Sequence, residues 1–227
     1  MKKILLIFIL VSATYTSFAQ IKVGLRVAPG IGLNKVEDKN SSDLTIYSKG
    51  DASLAFTIGP DIDFFLNDNI VFCTGLWWST RKVSVQRQDL FLISAYTSNL
   101  QYLQIPITFK AYTNEISKGL KIYAQLGGLI ETKISDKLKS SSPDLTTIPG
   151  YIYEKRYQYV NVGLYAGTGI EYALNGNNAV YVGVFYQRGL INQARNFKNS
   201  FTSTQNDFAK QAKVNLSSLG LEVGFKF

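Results

Sequence analysis

Eight stretches of this chain alternate apolar and polar side chains with a period of two, and the spacers between them alternate as well, long and then short. Period-two alternation is the signature of a β-strand, whose successive side chains leave opposite faces. The clearest case is "YLQIPITFK", residues 102–110. Leu103, Ile105, Ile107 and Phe109 point one way, and Tyr102, Gln104, Pro106, Thr108 and Lys110 point the other. In a soluble sheet protein the apolar row faces a core and the polar row water. In an outer-membrane barrel the apolar row faces lipid and the polar row a narrow lumen. One strand does not distinguish these arrangements.

The N-terminus narrows the choice. Lys2 and Lys3 precede an apolar run from Ile4 to Val11, and Ser17-Phe18-Ala19 supplies the small-x-small pattern of a signal-peptidase site. The expectation is a signal peptide over residues 1–19, with cleavage before Gln20 and a mature domain over 20–227. No cysteine follows the site, so a lipid anchor is not expected. The apolar run is too short for a retained helix, which needs about 20 residues. No later run approaches that length, so the exported chain is either soluble or spans a membrane as a closed barrel. Cys73 is the single cysteine and can form no internal disulfide; it reads as a small strand residue. The net charge of +8 could attract nucleic acid, but export makes lipopolysaccharide or surface polymers the anionic contacts to expect, and no nucleic acid.

The eight segments are Ile21–Leu33, Ser53–Leu66, Ile70–Val85, the stretch around 102–110, one from Leu120, one over 160–170, Ala179–Leu190 and the C-terminal "LGLEVGFKF". The third carries Trp77 and Trp78 and alternates least cleanly. Long polar spacers at 34–51, 86–97, 135–156 and 191–212 take turns with short ones such as Asn67-Asp68-Asn69 and "LNGNN". Long outer loops, short periplasmic turns and an even strand count belong to up-and-down outer-membrane barrels; nothing in a sandwich would force connections to alternate. The polar rows place Lys22, Arg26, Asp61, Asp63, Gln104, Lys110, Lys121, Glu131, Glu171, Glu222 and Lys226 among glycines. A cramped lumen needs small residues beside long ones and needs its buried charges paired. The fold expected is therefore all-β: an eight-stranded antiparallel up-and-down transmembrane β-barrel. Pro106 sits awkwardly in a closed wall, because it has no N–H to give; a bulge or one unpaired carbonyl is expected there.

"YLQIPITFK", "VYVGVFYQRGLIN" and "LGLEVGFKF" resemble strands of the PorT-type outer-membrane β-barrel family of Bacteroidota, over essentially all of residues 20–227. The resemblance implies the barrel and its topology. It implies insertion by the barrel-assembly machinery, which reads the C-terminal aromatic, here Phe227. One member of the family is implied in type IX secretion, and by fold analogy a surface or secretion-system protein is an expected partner here.

Chemistry is sparse. The sequence has no histidine, which removes Ser-His-Asp and Cys-His nucleophilic sites and the usual zinc ligand sets. No catalytic, cofactor or metal residue is expected, and no enzymatic activity. Asp61 and Asp63 could form an acid/base pair or a cation site, but read better as partners of Lys22 and Arg26 in lumen salt bridges. "GTGIEY" at 167–172 lacks the third glycine and the helix of a dinucleotide loop. Trp77 and Trp78 could stack on a ligand; at least one reads as part of an interface girdle. "YIYEKRYQY" at 151–159 reads as girdle and loop base, with glycan stacking the lesser alternative. The expected function is an integral outer-membrane barrel with a plugged lumen, whose loops contact partners or envelope polymers. The alternatives are a small transport or conduction barrel, a type IX secretion accessory, and a secreted soluble ligand-binding barrel. In the plug, Lys22 and Arg26 are expected across from Glu222 and Lys226.

Overall fold

The computed structural model describes residues 20–39, 46–49, 53–88, 93–142, 156–174, 178–198, 205–206, 210 and 212–227. The expected signal peptide lies outside them, as do Gly176, Asn177 and residues 151–155. In chain order the strands are β1 (Ile21–Gly32), β2 (Lys35–Asp38), β3 (Ile46–Lys49), β4 (Ser53–Phe65), β5 (Ile70–Gly75), β6 (Trp77–Gln88) and β7 (Ile93–Tyr112). They continue with β8 (Leu120–Ser142), β9 (Val160–Ala173), β10 (Ala179–Gly189), β11 (Phe197–Lys198), β12 (Gln205–Asn206), β13 (Ala212–Asn215) and β14 (Ser217–Lys226).

The main sheet is antiparallel and closes on itself. β1 pairs with β14 on one side (Leu25 opposite Phe225) and with β4 on the other (Arg26 opposite Gly59). With β5 and β6 as two halves of one stave, the ring has eight strands. Closure leaves no edge, which is what a strand structure needs in lipid.

Side-chain placement inverts that of a soluble protein. Leu54 is 73% exposed, Leu126 66% and Leu221 56%, while Arg26 is 2% exposed and Glu222 and Lys226 1% each. Charged groups are almost never fully buried unless paired, so the polar row lines an interior and the apolar row faces lipid. The alternation assigned to 21–33, 53–66, 102–110 and 219–227 holds residue by residue.

The break between β5 and β6 falls at Leu76 and has a local cause. Leu76 donates its N–H to the Pro60 carbonyl at 3.1 Å; Pro60 has no N–H to return. The register on the other side, Thr74 opposite Ile107 and Trp77 opposite Gln104, sets Gly75 opposite Pro106, which has none either. Two prolines thus flank the interruption, one from each neighbouring strand. The bulges of this wall lie elsewhere, between Thr97 and Ser98 and between Gln101 and Tyr102. The irregularity at Pro106 is the missing ladder bond, not a bulge.

The spacers need correction. Residues 86–88 and 93–97, expected in a loop, are paired strand (Gln86 opposite Ala95), and 135–142 continue β8 against β7. A membrane-spanning strand needs about 9–11 residues, whereas β7 has 20 and β8 has 23. The wall therefore projects beyond the bilayer, where its outer face meets water and can be polar; that polarity imitates a loop. The spacers 34–51 and 191–212 also hold strand: β2 pairs with β13, which begins at the end of the second spacer, β3 pairs with β6, and β11 pairs with β12. At the other end the turns are tight. Asn67 Oδ1 accepts the N–H groups of Asn69 (2.9 Å) and Ile70 (2.7 Å), and Gly119 takes a φ of 76°, a conformation that favours glycine.

Candidate functional site

The interior of the barrel is filled, level by level, by side chains from facing strands. At mid-height β1 sends in Arg26 and β14 sends in Glu222. Arg26 Nε meets Glu222 Oε2 at 2.8 Å, and Nη2 donates to the Tyr165 hydroxyl at 3.0 Å. Tyr165 donates onward to Glu222 Oε2 at 2.6 Å, and Tyr123 donates to Oε1 at 2.8 Å. The guanidinium carbon lies 4.1 Å from the Trp77 ring centre and 4.9 Å from that of Phe185. A cation held against ring faces is attracted by their quadrupoles, so this layer is both bonded and packed.

Asp61 does not form the expected ion pair. Its oxygens accept from Trp77 Nε1 (2.6 Å) and the Tyr181 hydroxyl (2.7 Å). Asp63 faces Lys226 Nζ at 2.5 Å and Lys110 Nζ at 3.8 Å. Both contacts are ionic, and the nearer one carries the pair. Lys226 also meets Glu171 Oε2 at 2.7 Å and donates to Tyr112 Oη at 2.8 Å. Lys22 stays outside this network. The register sets Gly24 opposite Lys226, so Lys22 lies beyond the end of β14, and its ammonium sits 5.5 Å from the Phe65 ring centre. Asp63, though opposite Lys22 on the wall, is taken by cations that reach across the lumen.

Toward the long spacers, Glu131 collects donors from Arg81, Gln104 and Asn161. Above it Lys133 pairs with Asp136 at 2.8 Å and donates to the Tyr157 carbonyl at 2.6 Å. An apolar lid of Val83, Leu100, Tyr102, Tyr157, Val214 and Leu216 closes that end.

Glycines make the filling possible. A Cβ at Gly224 would stand 2.3 Å from the Tyr181 ring, and one at Gly183 would stand 2.4 Å from the Tyr123 hydroxyl. At the opposite mouth a recess of ≈120 Å³, lined by Lys22, Phe65, Tyr112 and Glu171 among others, is smaller than the roughly 300–1,000 Å³ of small-molecule sites. Among the described residues no group of three or more Cys, Asp or Glu is placed to hold a metal ion.

Of the tryptophans, Trp77 lies inside the lumen, 2% exposed, and Trp78 faces outward and is half-buried, so of the two only Trp78 is on the side where a girdle residue belongs. Cys73 is a buried lumen residue of β5. "GTGIEY" runs straight through β9. Of "YIYEKRYQY", Tyr157 is buried in the lid and Tyr159 is exposed. The sequence reading missed Arg81, Tyr165, Tyr181 and the Lys133–Asp136 pair as lumen groups. Extending the odd-position parity of 71–85 would have found Arg81 and Trp77.

A closed ring of strands with a lipid-facing apolar surface and an internal charge network defines an integral outer-membrane β-barrel, a protein of the cell outer membrane. The chain belongs to the outer membrane protein beta-barrel domain family, whose model matches residues 18–195. No curated relative matches the sequence. Among solved structures, the outer membrane protein OprG from Pseudomonas aeruginosa is similar, with a TM-score of 0.52, 16% identity, and coverage of 92% of this chain and 97% of that one. Neisserial surface protein A gives a TM-score of 0.46 at 14% identity, over 93% of this chain and all of that one. The likeness to OprG is one of fold alone.

Proposed function

We propose that this protein is a non-conducting, non-catalytic barrel of the PorT type, a scaffold that presents its long connections to surface proteins or envelope polymers. The observation that carries this reading is the Arg26 guanidinium, bonded to Glu222 and packed against Trp77 and Phe185 in the middle of the lumen. An eight-stranded interior is just wide enough for side chains to fill, and this one is filled by a bonded layer with polar and apolar layers on either side. The projecting β6–β7–β8 wall and the β2–β13 sheet supply an ordered outer surface. The strand motifs "YLQIPITFK" and "LGLEVGFKF" support membership of the PorT type, and with it insertion by the barrel-assembly machinery. Single-channel recording in planar bilayers tests the reading: the wild type carries no steady current, and Arg26→Ala with Trp77→Ala opens one. Steady wild-type currents would make it a conduction barrel instead.

A further inference from the structure

The outward face of the projecting wall carries a row of donors just above the apolar band. Lys82 on β6 is opposite Asn99 on β7, and Asn99 is opposite Lys137 on β8. Both lysines are exposed and neither has an ion-pair partner among the described residues. Two strand spacings set their Cα atoms roughly 10 Å apart, within the joint reach of two flexible ammonium stems. Between them, Thr80 Oγ1 donates to Asn99 Oδ1 at 2.9 Å. That bond occupies the amide oxygen and leaves the Nδ2 hydrogens for an acceptor outside.

Below this row come Thr80, Gln101 and Ser135, and then Trp78 and Leu103, where the apolar band begins. The row therefore lies at headgroup level on the side of the long connections.

The first bulge of β8 builds the sign of this surface. Gln101 faces Ser135 and Tyr102 faces Lys133, so Ile134 is the extra residue. Below the bulge odd residues point inward, as Glu131 and Lys133 do. Without the extra residue, Lys137 would point into the lumen beside Lys133 and Asp136 would point out. With it, Asp136 is buried against Lys133 and Lys137 is exposed. A bulge re-aims side chains in this way. Among the described residues of this outward face above Trp78, no Asp or Glu remains.

We infer that Lys82, Asn99 and Lys137 form a binding site for the phosphate groups of lipid A in the outer leaflet of the outer membrane. The inference rests on the reading that the long connections face the exterior. Charge-assisted bonds from two ammonium groups and an amide match a phosphate's three acceptor oxygens, and the apolar surface beneath Trp78 continues along the acyl chains.

The test is a titration of the full mature barrel in detergent micelles with bisphosphorylated lipid A, its dephosphorylated form and inorganic phosphate, followed by native mass spectrometry. Lys82→Gln with Lys137→Gln is expected to weaken binding of the phosphorylated lipid by at least about tenfold. Lys118→Gln with Lys213→Gln, which removes the same charge elsewhere, is expected to leave it unchanged. Equal loss in both pairs, or equal binding of the dephosphorylated lipid, overturns the site; competition by inorganic phosphate at the lipid's own concentration makes it a free-phosphate site and overturns the lipid assignment. If the double variant does not assemble, Asn99→Asp takes its place, with the same loss expected and unchanged binding overturning the site. Orientation is read separately, by membrane-impermeant maleimide on intact cells carrying Lys137→Cys or Lys118→Cys. Labelling at 118 and not at 137 overturns the orientation, and with it the outer-leaflet assignment, whatever the titration gives.

Discussion

Arg26 and Glu222, 196 residues apart in sequence, meet at 2.8 Å beside the seam where the first and last strands of the ring join. They are not opposite each other on the wall: Arg26 faces Gly224, and Glu222 reaches it diagonally. Glu222 is the acceptor on which three donors from three strands converge: Arg26 of β1, Tyr123 of β8 and Tyr165 of β9. The ion pair thus ties the two ends of the chain to the middle, and it forms only once the ring has closed.

Removing that acceptor should cost more than removing a surface charge. Glu222→Ala leaves a buried guanidinium unpaired, a loss of about 3–5 kcal/mol. Lys139→Ala, at an exposed position, should stay within about 0.5 kcal/mol of wild type. Urea unfolding in detergent micelles measures both, and equal losses would remove the network from any account of stability.

Charge placed on the two faces should have opposite consequences. Ile107 and Leu164 are 44% and 51% exposed on the lipid side, whereas Gln125 is 8% exposed and donates to Thr108 Oγ1 inside. Ile107→Arg or Leu164→Arg meets the midplane cost of about 2–4 kcal/mol and should block insertion. Gln125→Arg should assemble. Heat-modifiable migration on gels reports the folded fraction, and a folded Leu164→Arg barrel beside an unfolded Gln125→Arg one would reverse the two faces.

Glycines of the wall should divide by what lies over them. A Cβ at Gly59 would stand 2.2 Å from the Leu76 carbonyl oxygen and 2.7 Å from Trp77 Cα, both backbone atoms; at Gly128 the nearest atom is 3.8 Å away. Gly59→Ala should therefore destabilise by about 1–3 kcal/mol through overpacking, and Gly128→Ala should be close to neutral. The same unfolding assay separates them.

Much of this architecture is legible in the sequence because a barrel wall has one strict period. Residues 102–110 and 219–227 show which face is which, and the single-letter alternation carries through to the structure. Two things hid the rest. In β8 the parity reverses at Ile134, so Asp136 and Lys137 cannot be assigned without the bulge. In the lumen, partners are chosen across the space and not along the wall, so Asp63 takes Lys226 and Lys110 although Lys22 is its neighbour in register. Spacing along a strand says nothing about reach across it.

The projection of the wall also predicts where the chain tolerates insertion. Ser84 is opposite Thr97 and Gln88 opposite Ile93, so the ladder continues well past the row of Lys82, and only positions 89–92 connect the two strands. An epitope inserted between positions 90 and 91 falls beyond the last described pair, Gln88 with Ile93, and should leave assembly intact and be reachable by antibody on whole cells. The same epitope between Thr97 and Ser98 falls inside paired strand, where β7 bonds both β6 and β8, and should reduce the heat-modifiable fraction sharply. One placed between Asn67 and Asp68, at the tight-turn end, should assemble only if the turn bonds of Asn67 are dispensable, and should be invisible to antibody until the outer membrane is permeabilised. Equal tolerance at 90 and at 97 would mean that the pairing above the membrane contributes nothing to the wall, and antibody access at 67 on intact cells would turn the barrel over.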